Sequence, residues 1–257
     1  MQDCKTEARL PEGMAGLAKG LAILEAFSPR RRRLTITEAA EVSGTSRASA
    51  RRCLLTLAEL GYLDFDGKYF RPQARLLALS SGYSGSRSLP EIAQPFLVSA
   101  RNRLNESISL AVLDGQSALF VARAEAERLV TTGIQLGTRI DLYCSATGRV
   151  LLSGWLDDRI AGYLDETEIT ARTRHSLVKK AALRDAVKQA RANGYATTDQ
   201  ELEIGLRSIA VPVFDGRGNV VAAMSASASS ARVTISQMVN TFVPALRASA
   251  DGLGRIA

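Results

Sequence analysis

Apolar residues fall at helical spacing over residues 15–27, AGLAKGLAILEAF, where Leu17, Leu21, Leu24 and Phe27 share one face. Pro29 ends that helix. Thr35-Ile-Thr-Glu38 has the form of a capping box and predicts a short helix to about Val42. Gly44 interrupts it. Thr45 or Ser46 then caps a second helix reaching about Leu60, with Gly61 as its terminator. Two short helices joined by a turn containing glycine are a helix-turn-helix in outline. Next, Tyr62, Leu63 and Phe65 precede Asp66-Gly67, and Tyr69 and Phe70 follow, which predicts a β-hairpin. A hairpin in that position is a wing. Residues 73–83 predict another helix, with Leu76, Leu79 and Tyr83 on a face, and Ser84-Gly-Ser-Arg-Ser88 reads as a hinge.

Beyond the hinge the period switches repeatedly between 3.6 and 2. A helix is expected at 89–104, and a hairpin from Ser107–Leu113 and Ala118–Ala122 around Asp114-Gly115. Leu129–Ile134 and Thr138–Leu142 are strand-like, and Ala146–Trp155, Asp157–Leu164 and Leu183–Asn193 are helical. Strands at 195–199, 207–214 and Val220–Ser227 precede a last helix from about Ile235 to Ile256. This is an α+β protein: a winged helix-turn-helix, then an α/β domain with a mostly antiparallel sheet. The division expected is a flexible N-terminus (1–14), a winged helix-turn-helix (15–72), a linker helix and hinge (73–87) and a second domain (88–257).

Charge sharpens the picture. The 257 residues carry a net +7, of which residues 1–87 hold +5 and residues 88–257 only +2. A small basic module beside a near-neutral larger one is the footprint of a nucleic-acid binder, although a solvated charged surface has the same balance. The run Arg30–Arg33 suits phosphate contacts or a solvated turn equally. On the second helix, at about 100° per residue, Ala50, Cys53, Leu54 and Leu57 form the buried stripe. Thr45, Ala48, Arg52 and Glu59 lie opposite, Ser49 and Arg51 flank that outer face, and Arg47 sits in the first turn after Ser46. Small and basic residues thus crowd the end that enters a major groove in this motif. Leu55 points partly outward, which a groove role does not explain. Lys68 at the wing tip and Arg71 at its base are placed to touch DNA.

Other classes lose ground on composition. No apolar run approaches the ~18 residues of a membrane helix, and Met1–Gly13 has no signal-peptide core. Three scattered cysteines suit a reducing, cytoplasmic compartment and exclude a disulfide framework. With one histidine, His175, and no nucleophile-elbow, P-loop, dinucleotide or metalloprotease motif, no catalytic residue, cofactor or metal is expected. An enzyme acting on an aromatic acid is the alternative. Its best support is Asp199, Glu201 and Glu203, which alternate along one strand and suit acid–base work or a merely solvated edge. Ser145–Gly148 directly precedes a helix, so its N–H groups can bind a carboxylate. Ser225 and Ser227 share a strand face, for binding or simply for close packing. Arg149 and Arg207 could pair with an anionic ligand, but a surface bridge to an acidic neighbour is the preferred reading for both.

The stretches GLAKGLAILEAF, LTITEAAEVSGTSRASARRCLLTLAELGYL, YCSATGRVLLS, GYATTDQELEIGLRSIAVPV and AAMSASAS together resemble the IclR family of bacterial transcriptional regulators, over residues 15–256. GTSRASARRCLLTLAELGYL and Leu142-Tyr-Cys144 look most like its branch controlling aromatic-acid catabolism through protocatechuate, 4-hydroxybenzoate or β-ketoadipate. The resemblance implies a winged helix-turn-helix, a linker helix that helps dimerise and a GAF-like effector domain. It also implies a homodimer or dimer of dimers on a palindromic operator in double-stranded DNA, controlled by a small carboxylate effector. Carried over by position, the effector residues are Ser145, Ala146 and Thr147, the strand residues Ser208, Ser225 and Ser227, Thr198 and Asp199 at one side, and Leu129 as lining. Ser208 stands where some relatives place a cysteine.

Overall fold

The computed structural model describes residues 13–28, 31–81, 88–126 and 134–256. The chain divides into two compact units, Met1–Gly85 and Ser86–Ala257. No helix of the described residues is long and apolar enough to cross a membrane.

In the first unit, α1 (Ala15–Glu25), α2 (Ile36–Val42) and α3 (Arg47–Glu59) precede a hairpin of β1 (Leu63–Phe65) and β2 (Phe70–Pro72). A 3-10 turn then leads into α4 (Leu77–Ser81). The capping box forms: the Glu38 N–H donates to Thr35 Oγ1 at 3.2 Å, and the Thr35 N–H donates to the Glu38 carboxylate at 2.7 Å. Ser46, rather than Thr45, caps α3, its hydroxyl accepting from the Ser49 N–H. Ile23, Leu34, Ala50, Leu54, Leu63 and Phe70 make the core. Leu34 and Phe70 exchange both backbone hydrogen bonds, at 2.8 and 3.0 Å, which lays the segment before α2 against the wing.

The apolar face expected on α1 is only half used. Leu24 and Phe27 pack against the core, together with Ile23, which lies off that face. Leu17 and Leu21 are exposed instead. They line a groove of about 630 Å³ with Met14 of the preceding turn and Cys53, Leu57 and Leu60 from the α3 side, because the N-terminal half of α1 runs along α3 beyond the core. The face expected on 73–83 is likewise uncovered at Leu79, and Tyr83 and the hinge at 84–87 lie outside the described residues.

The second unit begins with α5 (Leu89–Leu104), β3 (Ser107–Asp114), β4 (Ser117–Ala124) and β5 (Arg139–Asp141). It continues through α6 (Ala146–Ser153), α7 (Asp157–Glu166), α8 (Lys180–Asn193), β6 (Ala196–Asp199), β7 (Leu206–Phe214) and β8 (Val220–Ser229). Finally α9 (Ile235–Gln237) passes through a π-helical turn into α10 (Val243–Gly254). The six strands form one sheet in the order β5-β4-β3-β8-β7-β6, each pair antiparallel. Of the expected strand at Leu129–Ile134, all but Ile134 lies outside the described residues.

Alternation along each strand sends side chains to two different layers. Ile108, Leu110, Ile209, Val211 and Met224 meet α5 and α10 through Leu97, Leu246 and Leu253. On the other face Ala111, Phe120, Ala210 and Ala223 meet α6 and α8 through Val150, Leu152 and Val187. Small residues on that second face let α6 lie close. A Cβ on Gly148 would collide with the Leu142 carbonyl, so glycine is required there.

Arg149 departs from the surface bridge expected of it. Its side chain is 4% exposed and forks onto Glu201, at 2.9 Å from Nη1 to Oε1 with Nη2 on the second oxygen. Glu201 also accepts the Leu177 N–H at 3.3 Å. The acidic trio read as one strand edge is therefore dispersed, because β6 ends at Asp199 and the chain turns before Glu201. Removing one member of a buried pair strands the other charge. Glu201→Ala should lower unfolding stability by about 3–5 kcal/mol, whereas Asp165→Ala, which breaks only the exposed 3.5 Å pair with Lys180, should cost about 0–1 kcal/mol. Urea titrations followed by circular dichroism check both values, and equal losses would contradict the burial.

Candidate DNA and effector sites

The helix-turn-helix offers its basic residues to solvent. Arg47, Ala48, Arg51 and Arg52 are exposed, Thr45 is half-buried, and Ser46 is exposed as the cap. Ser49 differs from the expectation. It is buried, and its hydroxyl accepts from that of Ser46 at 3.1 Å while its N–H completes the cap, so it is spent on starting the helix. Leu55 packs partly against the core, which accounts for its outward angle.

The wing is organised by Asp66, whose carboxylate accepts the N–H groups of Lys68 and Tyr69 at 3.0 and 2.8 Å and pairs with Arg71 at 2.8 Å. Those backbone hydrogen bonds, aided by Arg71, hold its pKa below the usual carboxylate value. Lys68 and Arg33 both stand over the Tyr69 ring, at 5.1 and 4.2 Å. Arg33 thereby brings part of the Arg30–Arg33 run beside the wing tip, a placement with no signal in local sequence. Arg30 lies outside the described residues.

In the second unit, register assembles a polar patch on the α6 face. Thr198 pairs with Ser208, Ser208 with Ser227, and Ser227 with Ser107, forming one row across β6, β7, β8 and β3. The Ser208 and Ser227 hydroxyls are 3.0 Å apart. The adjacent row holds Ser225, Ser109 and Arg123 on β8, β3 and β4. Arg123 donates from Nη1 to Ser109 Oγ at 2.8 Å and from Nε to Glu125 at 3.2 Å, with 5% of its side chain exposed. Arg123 and Ser109 did not emerge from motif reading. The available signal was a charged residue at an inward position of SALFVARA.

Helix α6 packs on this same face through Ala146 and Val150. Ser145 caps it, accepting the Gly148 N–H at 3.0 Å. The first-turn N–H groups of Ala146 and Thr147 remain without an intrahelical acceptor. Asp199 does not join the group. Pleat alternation puts it on the opposite face from Thr198, where Arg207 grips it through two contacts of 2.8 and 3.1 Å. That pairing, chiefly the hydrogen bonds from Arg207, holds the Asp199 carboxyl below its ordinary pKa. Arg207 also donates to the Ser230 and Val233 carbonyls, so its role here is a brace. Leu129 lies outside the described residues.

Comparison with known proteins decides the family. A model described as the IclR helix-turn-helix domain matches residues 16–67, and one described as bacterial transcriptional regulator IclR C-terminal matches residues 82–255. The chain belongs to the IclR family. This IclR-family regulator is 39% identical to the Pca regulon regulatory protein of Pseudomonas putida, covering 95% of this chain and 84% of that one. To the p-hydroxybenzoate hydroxylase transcriptional activator of Acinetobacter baylyi it is 35% identical, covering 96% and 93%. It also resembles a solved inducer-binding domain, that of a PobR double mutant from Acinetobacter in complex with 3-hydroxybenzoic acid. There the identity is 26% and the TM-score 0.63, over 65% of this chain and 98% of that one. The relatives are transcriptional regulators of aromatic catabolism, and the DNA-binding helix-turn-helix of the family is present in full.

Cys144, next to the cap of α6, is buried, and its thiol donates to the Asp141 carbonyl at 3.4 Å. Burial, then the Asp141 charge, pushes its pKa up to about 11. The IclR-family regulator therefore keeps this sulfur as an inert thiol at neutral pH, since the thiolate is the reactive form. In the native protein at pH 8, iodoacetamide should label half-buried Cys53 well before Cys144, and both after denaturation. Mass spectrometry of the peptides reads the order, and equal native rates would contradict the packing.

Proposed function

We propose that this regulator binds a palindromic operator as a dimer through α3 and the wing, and that a small aromatic carboxylate seated on the α6 face of the second unit controls that binding. In this reading residues 15–72 contact DNA, residues 73–87 connect, and residues 88–257 take the effector. Arg47, Ala48, Arg51 and Arg52 face the major groove, with Lys68 and Arg71 on the backbone. Ser46 and Ser49 serve by holding the helix start. The observation that carries the effector assignment is the patch itself: four hydroxyls and a guanidinium in two adjacent rows, on the face against which α6 packs.

Such a patch suits an acid because a carboxylate removed from water needs several donors to offset its desolvation. Ser225, Ser227, Ser208, Thr198 and the N–H groups of Ala146 and Thr147 supply them, with Ser145 as the cap that orients the turn. The relatives act in aromatic-acid metabolism by name, and the PobR domain carries 3-hydroxybenzoic acid. The enzyme alternative loses its support, since Glu201 is consumed by Arg149 and Asp199 by Arg207.

DNA affinity should fall steeply with salt, because each phosphate contact releases counterions. Footprinting should show two half-sites related by two-fold symmetry. Arg52→Ala should cost about 1–3 kcal/mol on the operator while leaving the melting temperature unchanged, and Lys68→Ala should weaken all sequences alike. An Arg52→Ala protein that melts early yet binds the operator normally would place recognition on another face. Ser225→Ala and Ser227→Ala should each weaken effector binding by about 1 kcal/mol, or up to ~3 if the hydroxyl meets the charged group. DNA binding without effector should survive, since the coupling joins two separate sites. Calorimetry with 3-hydroxybenzoate and 4-hydroxybenzoate, followed by gel shifts, measures both.

A further inference from the structure

Within the patch one side chain differs in kind from the rest. Arg123 is a cation on a strand otherwise made of Ser, Ala, Leu, Phe and Val, and its side chain is 5% exposed. Its place in the sheet is set on two sides. Register puts it opposite Ser109, whose hydroxyl takes Nη1 at 2.8 Å, and Ser109 opposite Ser225. The Glu125 carboxylate, 59% exposed, holds Nε from the rim at 3.2 Å. With Nε turned to the rim and Nη1 to Ser109, the planar fork is fixed in the sheet row on the side of the serines. We propose that Arg123 is the residue that receives the effector's carboxylate and so makes the site select acids over neutral aromatic compounds, an inference that rests on the effector reading above.

The chemistry follows from the guanidinium. It stays charged at every accessible pH and offers parallel N–H groups that match the two oxygens of a carboxylate. Ser225, two strands away in the same row, adds a neutral donor. The Thr198–Ser208–Ser227 row lies two residues further along the strands, about 7 Å away, which is the scale of one aromatic ring. A hydroxybenzoate with its carboxylate at Arg123 thus has its ring hydroxyl in reach of that second row, where the 3.0 Å Ser208–Ser227 contact offers both donor and acceptor.

Full-length protein and Arg123→Gln are titrated calorimetrically with 3-hydroxybenzoate, 4-hydroxybenzoate, 3,4-dihydroxybenzoate and the neutral 4-hydroxybenzamide. The parent should favour an acid over the amide. Arg123→Gln should bind that acid about 10- to 100-fold more weakly, the size of a charge-assisted hydrogen bond converted at 1.4 kcal/mol per decade. Its affinity for the amide should stay within about twofold, so that the preference collapses. Melting temperature and operator binding report whether the variant is folded. If it is not, Arg123→Lys, which keeps the charge and loses the fork, takes its place and should lose about tenfold for the acid alone. Acid affinity within twofold of the parent, or an equal loss for acid and amide, overturns the assignment. A parent that binds none of the three acids overturns the effector reading itself, and this inference with it.

Discussion

The pair between Arg149 and Glu201 anchors the half of the effector unit that carries the patch. Arg149 rises from the second turn of α6, and Glu201 lies just past the end of the edge strand β6, so the bond ties a helix to a sheet margin. Glu201 also collects the Leu177 N–H, and its carbonyl accepts the Ser176 hydroxyl at 2.7 Å. One buried carboxylate therefore fixes α6, the turn after β6 and the 173–177 loop together. Gly148, one residue before Arg149, lets the helix start lie against the Leu142 carbonyl. Both features act on the same turn, so the free N–H groups of Ala146 and Thr147 are held in one orientation.

The sheet beneath α6 does two jobs on a single face. Ala111, Ala210 and Ala223 let the helix pack closely, and one step along the same strands the small side chain becomes Ser109, Ser225 and Ser208. Replacing a methyl with a hydroxyl changes little in volume and converts packing surface into hydrogen-bonding surface. The opposite face keeps Ile, Val, Leu and Met throughout, so α5 and α10 supply the dry core on which the polar row can be maintained. The DNA-facing unit solves a different problem. Its charges stay in solvent, and it spends Thr35, Ser46, Ser49 and Asp66 on caps and a turn that hold the elements bearing those charges.

Much of the architecture was written locally in the chain. The capping box at Thr35–Glu38, the serine cap before Arg47, the Asp66-Gly67 hairpin and the stretch 89–104 each depend on contacts within a few residues, and each formed with bounds close to those expected. The order of these elements, with the specific words around Ser145 and Ser208, was enough to place the chain in its family. Ser225 and Ser227 share a face for an equally local reason, the period of two along a strand.

What only the tertiary structure decided concerns which surface a residue meets. Leu17 and Leu21 have helical spacing, yet the core reaches only to Ile23. Asp199 adjoins Thr198 in sequence but is carried to the other face by the pleat and claimed by Arg207. Arg149 has the composition of a surface residue and is enclosed because Glu201, fifty-two positions later, comes back beneath it. Arg123 meets Ser109 and Ser225 through the register of three strands, β4, β3 and β8, the last a hundred residues further along. Local chemistry sets backbone conformation within a turn or two. The partner of a buried charge depends on strand order and register, and those belong to the folded chain as a whole.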